Sequence, residues 1–190
     1  ATQLFMPEYE DEVSTSFVVD SWYKKSLWLY LLYPFSLIFS YLTSRRRRKY
    51  VKNTIESYLP DIPVIIVGNL TIGGTGKTPL VKHIATELLN KGYKPGIVSR
   101  GYGGKFKETL QVNSNTSVKE TGDEAQILAK LDLPFYIDKN RVRAVKKIIK
   151  NHDCDVIISD DGLQHYNMGR HVEIAVIDGK RRFGNNLTFP

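Results

Sequence analysis

The run Gly68-Asn69-Leu70-Thr71-Ile72-Gly73-Gly74-Thr75-Gly76-Lys77-Thr78 gathers glycines just ahead of a lysine and a hydroxyl residue. Such a stretch suits one kind of chemistry. Glycines let successive backbone N–H groups turn toward a polyphosphate, the lysine reaches its outer phosphates, and the threonine hydroxyl ligates Mg²⁺. The spacing departs from G-x-x-x-x-G-K-[ST] at one place, where Thr71 stands five residues before Gly76. Gly73 and Gly74 are expected to supply the missing freedom. The expected phosphate-binding set is therefore Thr71, Gly73, Gly74, Thr75, Gly76, Lys77 and Thr78.

Three further clusters carry polar chemistry. Ser159-Asp160-Asp161-Gly162-Leu163-Gln164-His165 follows the apolar run Val156-Ile157-Ile158. Carboxylates at the end of such a strand lie where ligands bind in an open sheet, and one of them can hold Mg²⁺ directly or through water. Asp-Asp-Gly is also an ordinary turn former. Gly122-Asp123-Glu124 precedes a helical pattern, where Asp123 reads equally well as an N-cap. Ser99-Arg100-Gly101-Tyr102-Gly103-Gly104-Lys105 reads as a glycine-rich loop whose Arg100, Tyr102 and Lys105 are suited to a sugar or phosphate.

The elements that must position these clusters alternate. Ile62 to Val67, Lys94 to Ser99, Pro134 to Ile137, Asp155 to Ser159 and Val172 to Ile177 are short apolar or β-branched runs, expected as strands. Thr78 to Asn90, Asp123 to Leu131 and Lys139 to Asn151 show helical spacing, with Lys91-Gly92 closing the first. Alternation of this kind predicts an α/β fold, P-loop NTPase-like, with a mainly parallel sheet and helices on both faces.

Composition bounds the rest. The chain has 190 residues, 42% hydrophobic and 25% charged, which excludes disorder, collagen and a disulfide mini-protein. A lone cysteine, Cys154, forms no internal bridge and fits a reducing compartment. Net charge is +7, while residues 1–20 hold five acids and no base, so the whole basic surplus lies beyond them. It suggests an anionic partner.

Residues 1–20 are expected to form an acidic extension. From Leu27 to Leu42 no residue is charged, and Arg45-Arg46-Arg47-Arg48-Lys49 follows at once. The run is shorter than the ~20 residues a span requires, so 21–60 is expected to be a membrane-associated, amphipathic helical segment on an anionic surface. The base cluster follows the apolar run, which is the wrong order for a signal peptide. A buried helix with a solvated basic turn is the alternative. Residues 61–190 form the expected nucleotide-binding domain.

Taken together these motifs resemble one family, tetraacyldisaccharide 4′-kinase, the lipid A 4′-kinase of Gram-negative bacteria. The matches are the variant loop Gly68 to Pro79, Ser99 to Gly104, Gly122-Asp123-Glu124, Arg141-Val142-Arg143-Ala144, Asp160 to His165 and Phe183-Gly184-Asn185. The resemblance runs from about Trp22 to Pro190. It implies ATP-dependent phosphorylation of the 4′-hydroxyl of an acylated glucosamine disaccharide 1-phosphate, the lipid A disaccharide precursor, at the cytoplasmic face of the bacterial inner membrane, giving lipid IV-A.

By the same resemblance Asp123 is the catalytic carboxylate, Lys77 acts on phosphate, and Thr78, Glu124 and Asp161 manage Mg²⁺. Arg100, Tyr102, Arg141, Asp160, Gln164 and His165 become contacts to nucleotide phosphate or disaccharide. The family pattern continues into a second α/β domain, so this chain is expected to be its N-terminal portion. Neither His165 nor His171 matches the histidine which that domain contributes.

The rival reading is a membrane-surface P-loop ATPase switch that recruits a protein partner. Guanine specificity is disfavoured, since the only Asn-Lys, Asn90-Lys91, lacks the following aspartate. Nucleic acid is not an expected partner, because no groove-reading helix or stacking platform can be read. A monomer is expected.

Overall fold

The computed structural model describes residues 33–52, 55–69 and 76–179. The acidic extension, Thr71, Gly73, Gly74, Thr75 and Phe183 to Asn185 lie outside them. The chain divides into residues 41–183 and a second unit of 1–40 with 184–190.

Helix α1 covers Tyr33–Val51. Leu37, Ile38 and Phe39 are exposed although they succeed one another at ~100° around the axis. Its polarity is therefore separated end to end: apolar and aromatic residues first, Arg45 to Lys49 last. Arg48 and Lys49 in its last turn face the negative end of the helix dipole.

The remaining elements are β1 (Val64–Asn69), α2 (Lys77–Asn90), β2 (Pro95–Ser99), β3 (Leu110–Gln111), α3 (Val118–Thr121), α4 (Asp123–Ala129), β4 (Phe135–Ile137), α5 (Arg141–Asn151), β5 (Val156–Asp160) and β6 (Val172–Val176). The strands form one sheet in the order β3-β4-β2-β5-β1-β6. All pairings are parallel except that of the two-residue edge strand β3, which runs antiparallel to β4. Central strands β2 and β5 are buried along their whole length, as expected of strands covered on both faces.

Alternate residues of the central strands feed two cores. Val67, Ile97 and Ile158 pack with Val81 and Ala85 of α2 and with Ala125, Leu128 and Ala129 of α4. Val64, Ile66, Val98 and Ile157 pack with Ala144, Val145 and Ile148 of α5 and with Met168. The period of two thus sends neighbouring residues of one strand to opposite helical layers.

Local sequence sets the helix limits. Pro79 falls in the first turn of α2, where its missing N–H costs nothing. Gly92 at φ 85° closes that helix, donating its N–H to the Leu89 carbonyl. Helix α5 begins two residues later than the periodicity suggests, because Asn140 is its N-cap and accepts from the Arg143 N–H. Short β3 and α3 offer no period to read.

Candidate functional site

The polar clusters meet at the C-terminal ends of β1 and β5, neighbours in register from Val64 with Ile157 to Val67 with Asp160. Gly76 precedes α2 at φ 76° and ψ 20°, the left-handed conformation that glycine adopts freely. The next residue, Lys77, donates from Nζ to Asn69 Oδ1 at 2.9 Å and to Asp161 Oδ1 at 3.1 Å. One ammonium therefore joins the end of β1 to the turn after β5. Thr78 beside it is buried.

The adjacent acids are not equivalent. Asp160 is buried, and its Oδ1 finds no hydrogen-bond partner among the described residues. Burial and then the Glu124 carboxylate push its carboxyl up to about 6, against the pull of Lys77. Asp161 is half exposed, and at φ 53° it holds a left-handed backbone that few non-glycine residues adopt.

Arg141, at the start of α5, is fully buried and therefore does not face outward as a phosphate contact would. Its Nη1 donates to the Asp138 carbonyl at 2.7 Å, and its Nη2 to the carbonyls of Asp160 at 3.1 Å and Asp161 at 3.4 Å. Burial lowers its pKa to about 10, so it stays charged at neutral pH. Burial and the Arg141 and Arg100 guanidiniums pull His165 down to about 4, leaving a neutral imidazole. Gln164 and Arg100 are exposed, and Tyr102 is 79% exposed.

The glycine-rich loop and the Gly122-Asp123-Glu124 segment are brought together by close backbone approach. A Cβ on Gly122 would overlap the Tyr102 carbonyl oxygen, and one on Gly104 would overlap that of Glu120. Lys105 N–H donates to the Lys119 carbonyl at 3.0 Å. Asp123 is the first helical residue of α4 with Gly122 as the cap, which corrects the N-cap expectation. Its carboxylate and that of Glu124 are exposed in the first turn, where the helix dipole favours negative charge.

Two supports carry no sequence signal. Arg170 holds the turn after β5 by donating to the carbonyls of Leu163, His165 and Met168, with Glu173 paired to it at 2.6 Å. Asp138, buried at the end of β4, accepts from Thr109 and from Arg143 at 2.6 and 2.8 Å. Those bonds hold its carboxyl below the usual carboxylate range despite burial.

A lysine at the head of a helix, paired with an acid beyond the neighbouring strand of a mainly parallel sheet, defines an α/β protein of the P-loop NTPase-like class. More narrowly, the chain belongs to the Tetraacyldisaccharide-1-P 4'-kinase family, whose model matches residues 28–190. It is 46% identical over 171 residues to the tetraacyldisaccharide 4'-kinase of Psychromonas ingrahamii, covering 89% of this chain and 53% of that protein. The Coxiella burnetii protein of that name is 45% identical over 172 residues, with the same coverage. A crystal structure of LpxK from Aquifex aeolicus in complex with ATP superimposes with a TM-score of 0.73 at 33% identity, covering 84% of this chain and 53% of that one. The chain thus spans about half the length of these relatives.

Proposed function

We propose that the chain is the nucleotide-binding portion of a kinase that transfers the γ-phosphate of ATP to the 4′-hydroxyl of tetraacyldisaccharide 1-phosphate. The observation that carries this reading is the Lys77 ammonium poised between Asn69 and Asp161 at the head of α2. Family membership supplies the acceptor. When bound, ATP supplies the phosphoryl group and Mg²⁺ offsets its charge.

The residues fit such a pair. Among the described residues no group of three or more His, Cys, Asp or Glu side chains makes a metal cage. Mg²⁺ is usually bound through one or two carboxylates together with phosphates and water. Thr78, Glu124 and Asp161 would hold it, and the unpartnered Asp160 Oδ1 offers a further acceptor. Lys77 with the Thr71 to Gly76 backbone would bind phosphate. Asp123 would draw the proton from the attacking hydroxyl, while Arg100, Tyr102, Gln164 and His165 would face nucleotide or disaccharide.

Helix α1 supports a membrane address. Phe35 is 60% and Tyr41 62% exposed, and no helix of the described residues is long and apolar enough to cross a membrane. Exposed aromatics ahead of five bases suit an anionic surface, with ~1 kcal/mol of attraction per base. The protein would work there, at the cytoplasmic face of the inner membrane, as a monomer. The decisive assay is ATP-dependent phosphate transfer to the disaccharide 1-phosphate by the full-length and 190-residue chains side by side. Absence of transfer by the full-length protein would overturn the reading.

A further inference from the structure

We propose that Arg141 is a positioning residue, a buried fork that grips the main chain of Asp160 and Asp161 and thereby aims the Asp161 carboxylate at Lys77. The inference rests on the nucleotide-binding reading above and assigns Arg141 a task other than touching ligand.

The geometry begins with what the guanidinium spans. Asp138 follows β4 and Asp160 ends β5, yet β2 lies between these strands in the sheet. Arg141 crosses that gap with one planar group, Nη1 on the Asp138 carbonyl and Nη2 on those of Asp160 and Asp161. Bonds from a charged donor are about twice as strong as neutral ones. The side chain has no exposed surface, and the three carbonyls engage Nη1 and Nη2 while Nε has no partner among the described residues.

The need for a grip lies in Asp161. A non-glycine residue at φ 53° costs ~1 kcal/mol or more and persists only where its surroundings over-determine it. From the other side the turn is tied by the Gly162 N–H to the Val67 carbonyl, at a long 3.3 Å. Relaxing Asp161 to an ordinary φ would swing its Cβ away from Lys77, with which its Oδ1 pairs at 3.1 Å. Lysine cannot replace the fork, because a single ammonium does not reproduce a planar guanidinium bridging separate carbonyls.

The test is a double-mutant cycle in the full-length protein with Mg²⁺-ATP as titrant, read by calorimetry. Asp161→Asn removes the carboxylate but tolerates the left-handed backbone. Arg141→Lys is expected to weaken binding about 10-fold when Asp161 is present and less than about 2-fold in the Asp161→Asn background. In turnover it should raise KM for Mg²⁺-ATP, whereas mere loss of folded protein lowers apparent kcat alone. Arg141→Met, which removes the buried charge, is the second variant and should give the same pattern. Equal losses in both backgrounds, an unchanged KM, or the unfolding of both variants would overturn the inference alone. An unsubstituted protein that fails to bind Mg²⁺-ATP overturns the nucleotide reading, and this inference with it.

Discussion

Lys77 and Asp161 stand 84 positions apart in sequence and 3.1 Å apart in space, so the head of α2 and the turn after β5 share one ion pair. The pair is partly exposed, with side-chain accessibilities of 18% and 49%. Exposed ion pairs contribute ~0–1 kcal/mol to folding. A hydrogen bond to a charged group in a ligand site is worth ~1.5–3 kcal/mol.

Those magnitudes separate two readouts of one substitution. Lys77→Ala should shift the urea midpoint little while weakening Mg²⁺-ATP binding by roughly 10- to 100-fold. Calorimetric titration at fixed salt checks this, and equal affinity of parent and variant would exclude Lys77 from phosphate binding.

A second prediction compares an open glycine with a crowded one in the loop that docks against α4. Gly103 and Gly122 both have positive φ, 79° and 82°, but a Cβ on Gly103 meets nothing within 4 Å, while Gly122, at ψ 161° in a region essentially reserved for glycine, would also drive a Cβ into the Tyr102 carbonyl. Gly103→Ala should therefore cost ~1 kcal/mol, from its positive φ without a clash. Gly122→Ala should cost several times more and lower activity as well, since it forces apart the Tyr102 main chain and the segment that continues into Asp123. Chemical denaturation of both variants decides; equal losses would show that the loop gives way freely.

Much of this arrangement is legible in the sequence, and the exceptions share a cause. Strand β1 runs to Asn69, two residues beyond the apolar run, because Gly68 and Asn69 pair with Ala175 and Val176. Glycine at 68 also leaves room for Leu163, whose Cγ would lie 2.6 Å from a Cβ there. The acids at the end of β5 and the lysine that opens α2 are found by local spacing, and the fold brings them together as open α/β sheets do. Arg141 is read from the sequence as a contact to phosphate or disaccharide, not as a buried support. Its burial depends on where β4 and β5 end, a tertiary fact with no period in the sequence. Arg170, which caps three carbonyls of the turn, is hidden for the same reason.

The pH dependence follows from His165. Its folded pKa of about 4 lies below the ordinary 6.5, so between these values the unfolded chain binds a proton that the folded one does not. Stability contributed by the neutral imidazole is complete above pH 6.5 and is lost as pH falls toward 4. His165→Gln should flatten that limb of the stability curve. Urea midpoints at pH 7 and pH 5 test it; a variant that loses as much stability as the parent over this interval places the acid sensitivity elsewhere.

The last prediction concerns the proposed transfer, in which the acceptor hydroxyl would lose its proton as the oxygen attacks the γ-phosphoryl group, so a carboxylate within reach is the expected helper. Besides Glu124, three acids of the site differ in fitness for that task. Asp160 is buried, with its carboxyl raised by burial and by Glu124, and Asp161 is engaged by Lys77. Asp123 is exposed in the first turn of α4, next to the loop that carries Tyr102. Asp123→Asn keeps the size and removes the charge. If the proposed transfer holds, in the full-length protein it should lower kcat by ~10²-fold or more while Mg²⁺-ATP affinity changes little. Steady-state kinetics beside calorimetry resolve the two effects. Parental turnover in the variant would leave Asp123 as the opening residue of a helix and move the proton's acceptor to Asp160 or Asp161.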